Sequence, residues 1–261
     1  MISICVRFLA AYTVVFSGTI LAESPVIAAS VNGANAASLP RGWPLLVRVN
    51  VRHPDLMKDA SSLLTIQSAD GTAPWTSSVH LQLFDSNGAP VNLSFVSADD
   101  ALPAQVTVDA GRIGAARWTV APEQTLALPE GDYSLLVSVD WNGATIVAPQ
   151  VPVTFLKPYD TPTRDQSSWG RRLLANYAIW TKDPGFARSI VDDGLAADSR
   201  DIPLLELRGD LALAGGDLKT AFDSYSKALQ TFYEQFPNAQ EPPQNLHRKE
   251  WQTWTKLTEV Q

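Results

Sequence analysis

The feature that most constrains this chain is a change of hydrophobic period near residue 160. Before it, apolar residues alternate with polar ones. Leu45, Val47, Val49 and Val51 interleave with Leu46, Arg48, Asn50 and Arg52, and Val79, Leu81 and Leu83 with His80 and Gln82. Val91, Leu93 and Phe95 repeat the pattern, as do Val106 and Val108. A period of two belongs to half-buried strands. After residue 168 the period is close to 3.6: Leu173, Leu174, Tyr177 and Ala178 form one stripe, and Ile190, Val191 and Leu195 the next. The spacing therefore predicts a β unit followed by an all-α unit.

Turn chemistry supports the β half. Asn142-Gly143 separates two apolar runs, and both residues tolerate the positive φ that a two-residue hairpin needs. Asp85-Ser86-Asn87-Gly88 joins another pair. Several short strands at this spacing over residues 43–157 predict an antiparallel sandwich. Residues 23–42, rich in Ala, Ser, Asn and Gly without period, read as a flexible leader. Residues 158–167, with Pro158 and Pro162, read as a linker, with Ser167 and Ser168 available to cap the first helix. Residues 168–261 form the helical domain. Its last segment carries Trp251, Trp254 and Leu257 on one face, which predicts a capping helix with those rings buried.

Two resemblances add to this reading. Leu128-Pro129-Glu130-Gly131-Asp132-Tyr133 leads into an apolar strand and resembles the tyrosine corner of immunoglobulin-like and fibronectin-like sandwiches, where the phenol bonds to upstream backbone. In the helical half, Lys182-Asp183-Pro184-Gly185-Phe186-Ala187 aligns with Gly216-Asp217-Leu218-Lys219-Thr220-Ala221 at an offset of 34 residues. At that offset Val191 meets Tyr225, Gly194 meets Ala228, and Leu195 meets Leu229. This resembles the tetratricopeptide repeat, with Leu205, Gly209 and Ala212 on its first helix and Ala221, Tyr225 and Ala228 on its second. Arg208, Ala178 and Ala212 depart from the family pattern, and two copies are visible. The fold class expected is thus multidomain β + α: an Ig-like sandwich followed by a tetratricopeptide-like array.

The repeat resemblance implies a protein-binding inner face, lined by Trp169, Arg172, Asn176 and Ile179 in the first copy and by Pro203, Glu206, Asp210 and Leu213 in the second. Arg172 and Asn176 stand four apart on one helix face, so both can reach one ligand. Glu206 and Asp210 would repel a terminal carboxylate. The implied partner is a mixed-charge segment of a protein, with Arg172 meeting an acid and the two carboxylates meeting bases.

Compartment and chemistry are bounded by composition. Residues 8–22 are nearly all apolar and end among small residues, the layout of a secretory signal over 1–22, with cleavage after Ala22 or alternatively Ala29. The only cysteine, Cys5, lies inside that signal, so a mature chain has no disulfide, thiol nucleophile or lipid-bearing cysteine. The expectation is a periplasmic or extracellular protein without stable membrane insertion after cleavage. A net charge of -7 without a Lys/Arg cluster argues against nucleic acid. His53, His80 and His247 show no metal spacing, and no nucleophile elbow, phosphate loop or dinucleotide fingerprint occurs. No cofactor is expected, and the acidic pairs Asp99-Asp100 and Asp192-Asp193 read as solvated surface. The expected function is therefore a non-catalytic interaction or scaffold role. The alternative is a binder of carbohydrate or surface polymer using Trp43, Trp75, Trp118 and Trp141 of the sandwich.

Overall fold

The computed structural model describes residues 24–55, 63–99, 102–160, 163–239 and 241–259. The signal reading on 1–22, Asp100 and Pro162 lie outside the described residues. Strands fill the N-terminal part: β1 (Val26–Val31), β2 (Ala37–Pro40), β3 (Leu45–Arg52), β4 (Leu64–Gln67), β5 (Val79–Asp85), β6 (Pro90–Val91), β7 (Val96–Ser97), β8 (Gln105–Val108), β9 (Gly114–Val120), β10 (Gly131–Trp141), β11 (Ala144–Val147) and β12 (Val151–Leu156). A short helix, α1 (Pro122–Leu126), precedes β10. The C-terminal part is helical: α2 (Arg164–Trp180), α3 (Pro184–Ala197), α4 (Ile202–Ala214), α5 (Leu218–Gln235) and α6 (Gln244–Glu259).

The strands form two main sheets. One has the order β1-β3-β9-β7; the other runs β2-β12-β10-β5-β6, with β11 also paired to β10. β4 and β8 make a separate two-stranded ladder. The period of two sends one face of each sheet into a shared core. Leu45, Val47, Val49 and Val51 enter from β3, facing Leu135, Val137 and Val139 of β10 and Val153 and Phe155 of β12. Asn142 and Gly143 both hold positive φ, at 49° and 77°, and close the β10–β11 hairpin. The Tyr133 hydroxyl donates to the Pro129 carbonyl at 3.0 Å. Val91, Leu93 and Phe95 pack half-buried against the core, yet only Pro90 and Val91 join a ladder.

The leader reading of residues 23–42 is corrected. β1 pairs antiparallel with β3, and β2 runs parallel to β12, so this stretch contributes to both sheets. Ile27, Ala29 and Val31 do alternate inward, but Ala28 and Ser30 between them are too small to make the alternation visible in hydropathy. Asn32 and Gly33, at φ 52° and 84°, turn the chain between the two strands. The linker is also shorter than expected. Thr163, not Ser167 or Ser168, caps α2, accepting from the Gln166 amide while the Gln166 side chain accepts from the Thr163 amide. The capping box is the stronger signal because it satisfies two orphan donors together.

α2–α3 and α4–α5 are helical hairpins that repeat bond for bond at the 34-residue offset. The Asp183 amide donates to Ala178 and the Asp217 amide to Ala212. Lys182 and Gly216 both take positive φ, and Asp183 and Asp217 both cap the next helix. Asp201 likewise caps α4 through the Leu204 amide. Small residues let the helices approach. A Cβ on Gly209 would stand 2.4 Å from the Tyr225 ring. The interhelical core holds Ala178, Ala187, Val191, Leu204, Leu205, Ala221, Tyr225 and Ala228.

The β and α units share a joint. Trp43 stacks on Trp169 of α2, centroids 4.9 Å apart, and Gly170 leaves the room: a Cβ there would fall 2.1 Å from the Trp43 ring. A second contact begins at Asp99. Its carboxylate accepts from the Arg117 side chain at 2.6 and 2.8 Å and from the Arg117 amide at 2.7 Å. The Arg117 guanidinium in turn lies over the Trp180 ring of α2. Asp99 is therefore no solvated surface acid; it follows β7, and the pairing of β7 with β9 brings it to Arg117.

Candidate functional site

The four residues expected to bind a partner lie on α2 and α4, but they do not act alike. Arg172 is exposed and makes no ion pair among the described residues. It lines a cleft of about 450 Å³ whose walls include Trp169, Pro203, Phe232 and Phe236. Two ion pairs frame the cleft, Arg164 with Asp198 and Arg200 with Glu234. Asn176 stands one turn after Arg172 on α2. Its side-chain amide donates to the Arg172 carbonyl at 2.9 Å.

Glu206 and Asp210 are held by α6. Lys249 Nζ donates to Glu206 at 2.7 Å and to Asp210 at 2.8 Å, and Asn245 donates to Glu206 at 3.3 Å. Asp210 accepts a further bond from the buried Tyr225 hydroxyl at 2.7 Å. The Lys249 ammonium also lies 5.9 Å from the centre of the Tyr225 ring. Burial pulls the Lys249 pKa down, but the bonds to Asp210 and Glu206 outweigh it and leave the ammonium above its ordinary range. Burial, then the bond to Asp210, pushes the Tyr225 phenol up. Five residues from three helices thus form one network.

Sequence reading missed Lys249 and the cleft aromatics Phe232 and Phe236. Phe232 and Phe236 are four apart near the end of α5, where an i, i+4 aromatic pair was a usable signal. Lys249 offered none, because its partners lie 39 and 43 residues away.

The burial expected for the α6 tryptophans is corrected. Trp251 and Trp254 are 59% and 42% exposed. The inward positions of α6 are instead Leu246, Lys249 and Thr253, three and four apart, which turns the two rings outward. The sandwich tryptophans have structural employment. Trp75 and Trp118 are buried, Trp43 stacks on Trp169, and the Trp141 indole N–H donates to the Thr65 carbonyl. His80 is exposed on β5 and bonded to Asp140. Asp192 and Asp193 are exposed on α3. Among the described residues no cluster of His, Asp or Glu is arranged to hold a metal ion, and no helix is long and apolar enough to cross a membrane.

No protein-family model matches the chain. No curated protein matches it either. Parts of three solved structures are similar to parts of it. A family 123 glycoside hydrolase from Clostridium perfringens is 9% identical with a TM-score of 0.28, over 56% of this chain and 29% of that one. The Lin-41 filamin domain is 14% identical with a TM-score of 0.27, over 50% of this chain and 93% of that one. The sporulation control protein Spo0M from Bacillus subtilis is 11% identical with a TM-score of 0.30, over 59% of this chain and 55% of that one.

Proposed function

We propose that this chain is an exported, non-catalytic interaction protein, in which an Ig-like sandwich carries a tetratricopeptide-like helical array whose inner face takes a segment of a partner protein. The apolar run over residues 8–22 supports export. For the sandwich, the support is strand order: β1-β3-β9-β7 against β12-β10-β5 corresponds to the ABED and GFC sheets of that architecture. The Tyr133 bond to Pro129 at the start of β10 agrees with it. For the array, the support is the 34-residue recurrence of turn, cap and buried positions.

The observation that carries the functional reading is the division of the inner face. Its acidic half, Glu206 and Asp210, is engaged by the cation of α6. Its basic half, Arg172, stays open in a cleft walled by Trp169, Phe232 and Phe236. A face that already seats one helix through charge and aromatic contact has the chemistry to seat a partner segment beside it. The segment that fits would place an acid on Arg172 and an apolar side chain against the aromatic wall.

The test starts with capture of partners from an envelope extract, followed by affinity measurement with the purified partner. Arg172→Glu should weaken binding at least fivefold, about 1 kcal/mol, with unchanged melting. Equal binding by parent and variant would move the site off the inner face, and retention on glycans instead of protein would favour a carbohydrate-binding role.

A further inference from the structure

Three Asn-Gly pairs occur in the sequence, Asn32-Gly33, Asn87-Gly88 and Asn142-Gly143, and each lies at a turn. In such a pair the glycine amide can attack the preceding carboxamide, because glycine has no Cβ to hinder the approach. The local chemistry is the same three times. What differs is how the fold holds each carboxamide and each glycine amide.

Asn32 is clamped. Its Oδ1 accepts from the Leu46 amide at 2.8 Å, its own backbone amide donates to the Leu46 carbonyl at 2.8 Å, and its Nδ2 is buried. Asn87 has an exposed side chain, but the turn around it is tied. The Gly88 amide donates to the Asp85 carbonyl at 2.9 Å, and the Asp85 carboxylate accepts from the Asn87 and Ala89 amides at 2.9 and 2.8 Å. Asn142 has neither restraint. It and Gly143 are exposed at the tip of the β10–β11 hairpin. Among the described residues the Asn142 carboxamide makes no hydrogen bond and the Gly143 amide donates none. A Cβ on Gly143 would meet nothing within 4 Å, so the tip can move without displacing a neighbour. Exposed tips of this kind open at the low end of the local-unfolding scale.

We infer that Asn142 is a self-modifying site, at which the folded chain deamidates ahead of its other two Asn-Gly pairs. As the tip opens, the Gly143 nitrogen loses its proton to water or hydroxide and attacks Asn142 Cγ. An N–Cγ bond forms, the Cγ–Nδ2 bond breaks, and the amide nitrogen leaves as ammonia with a proton from solvent. Water then opens the five-membered imide at either carbonyl, giving aspartate or isoaspartate. Water is the one co-reactant. Either product places a new carboxylate close to Asp140, whose own carboxylate is bonded to His80 and Thr145 at 2.8 Å. Isoaspartate also adds a methylene to the backbone, which a two-residue turn cannot absorb, so the Trp141–Ala144 closure is lost. The cleft that Trp141 and Asn142 share with Gln67 and Ser68 then loses a wall. The inference does not depend on the inner-face reading of Arg172.

The experiment is peptide mapping by mass spectrometry of the purified full chain, sampled over time at mildly alkaline pH, with the chain in concentrated urea as reference. In the folded chain Asn142 should convert at least about tenfold faster than Asn32, an opening difference of about 1.4 kcal/mol, and ahead of Asn87. In urea the three should converge, because the dipeptide is the same. Asp85→Ala removes the acceptor of the Asn87 and Ala89 amides and should raise the Asn87 rate towards that of Asn142, with the Asn142 rate unchanged. The inference is overturned if Asn32 or Asn87 converts as fast as Asn142 in the folded parent, or if Asn142 converts in urea alone. It is equally overturned if urea preserves the folded-state ranking, which would then belong to sequence and not to the fold.

Discussion

At the scale of single residues, the tightest constraint in the helical half is Gly209. Its missing side chain is the space in which the Tyr225 ring lies, and that ring cannot slide away because its hydroxyl is tied to Asp210. Gly209→Ala should therefore destabilise by about 1–3 kcal/mol, as overpacking of a filled core does. Gly194 makes a useful contrast. A Cβ there also meets an atom at 2.4 Å, but it is the methyl tip of Leu204, which can rotate. Denaturant titration of the two variants should rank Gly209→Ala as clearly the more damaging. Equal costs would mean that Tyr225 is not pinned.

At the scale of elements, α6 is held as much by charge as by apolar packing. Leu246 is its one fully buried large apolar side chain, and Lys249 bridges it to α4. Lys249→Met keeps the stem and removes the cation. It should cost about 1.5–3 kcal/mol, the range for hydrogen bonds to charged groups, and raise hydrogen exchange along α6 first. The same network sets an alkaline limit. Lys249 and Tyr225 both have folded-state pKa values raised above their unfolded ones, near 10.4 and 10. Their contribution is fully present below about pH 10 and is lost as pH rises through the folded values. Circular dichroism followed upward from neutral pH should show helix loss beginning above about pH 10, with the Lys249 part of that dependence absent in Lys249→Met. Helix loss that starts well below this range would assign the alkaline transition elsewhere.

At the scale of the whole molecule, the joint between β and α units decides whether the chain behaves as one body. It rests on the Trp43–Trp169 stack and on the relay from Asp99 through Arg117 to Trp180. Aromatic pairs of this kind add roughly 0.5–1.5 kcal/mol beyond their buried area. Trp43→Ala removes the stack and opens a void beside Gly170. Calorimetry should then resolve two transitions where the parent gives one, the helical part melting first. A single unshifted transition in the variant would show that the units do not depend on this contact.

What the sequence determined by itself was everything that repeats over short distances. The alternation in β3 and β5, the Asn142-Gly143 turn, the Tyr133 corner and the 34-residue recurrence all follow from geometry between residues close in the chain, which leaves a periodic trace. Tertiary structure alone decided the rest. Small residues concealed β1 and β2, whose place comes from pairing with β3 and β12. Asp99 looked solvated until β9 brought Arg117 to it, and Trp251 looked buried until Leu246 and Lys249 set the rotation of α6. Glu206 and Asp210, which the repeat resemblance implied as partner-binding residues, are bonded by Lys249 of α6. An ion pair between residues about forty positions apart leaves no periodic mark, because it is the packing of α6 on α5 that brings the charges together, and that packing exists only in the folded molecule.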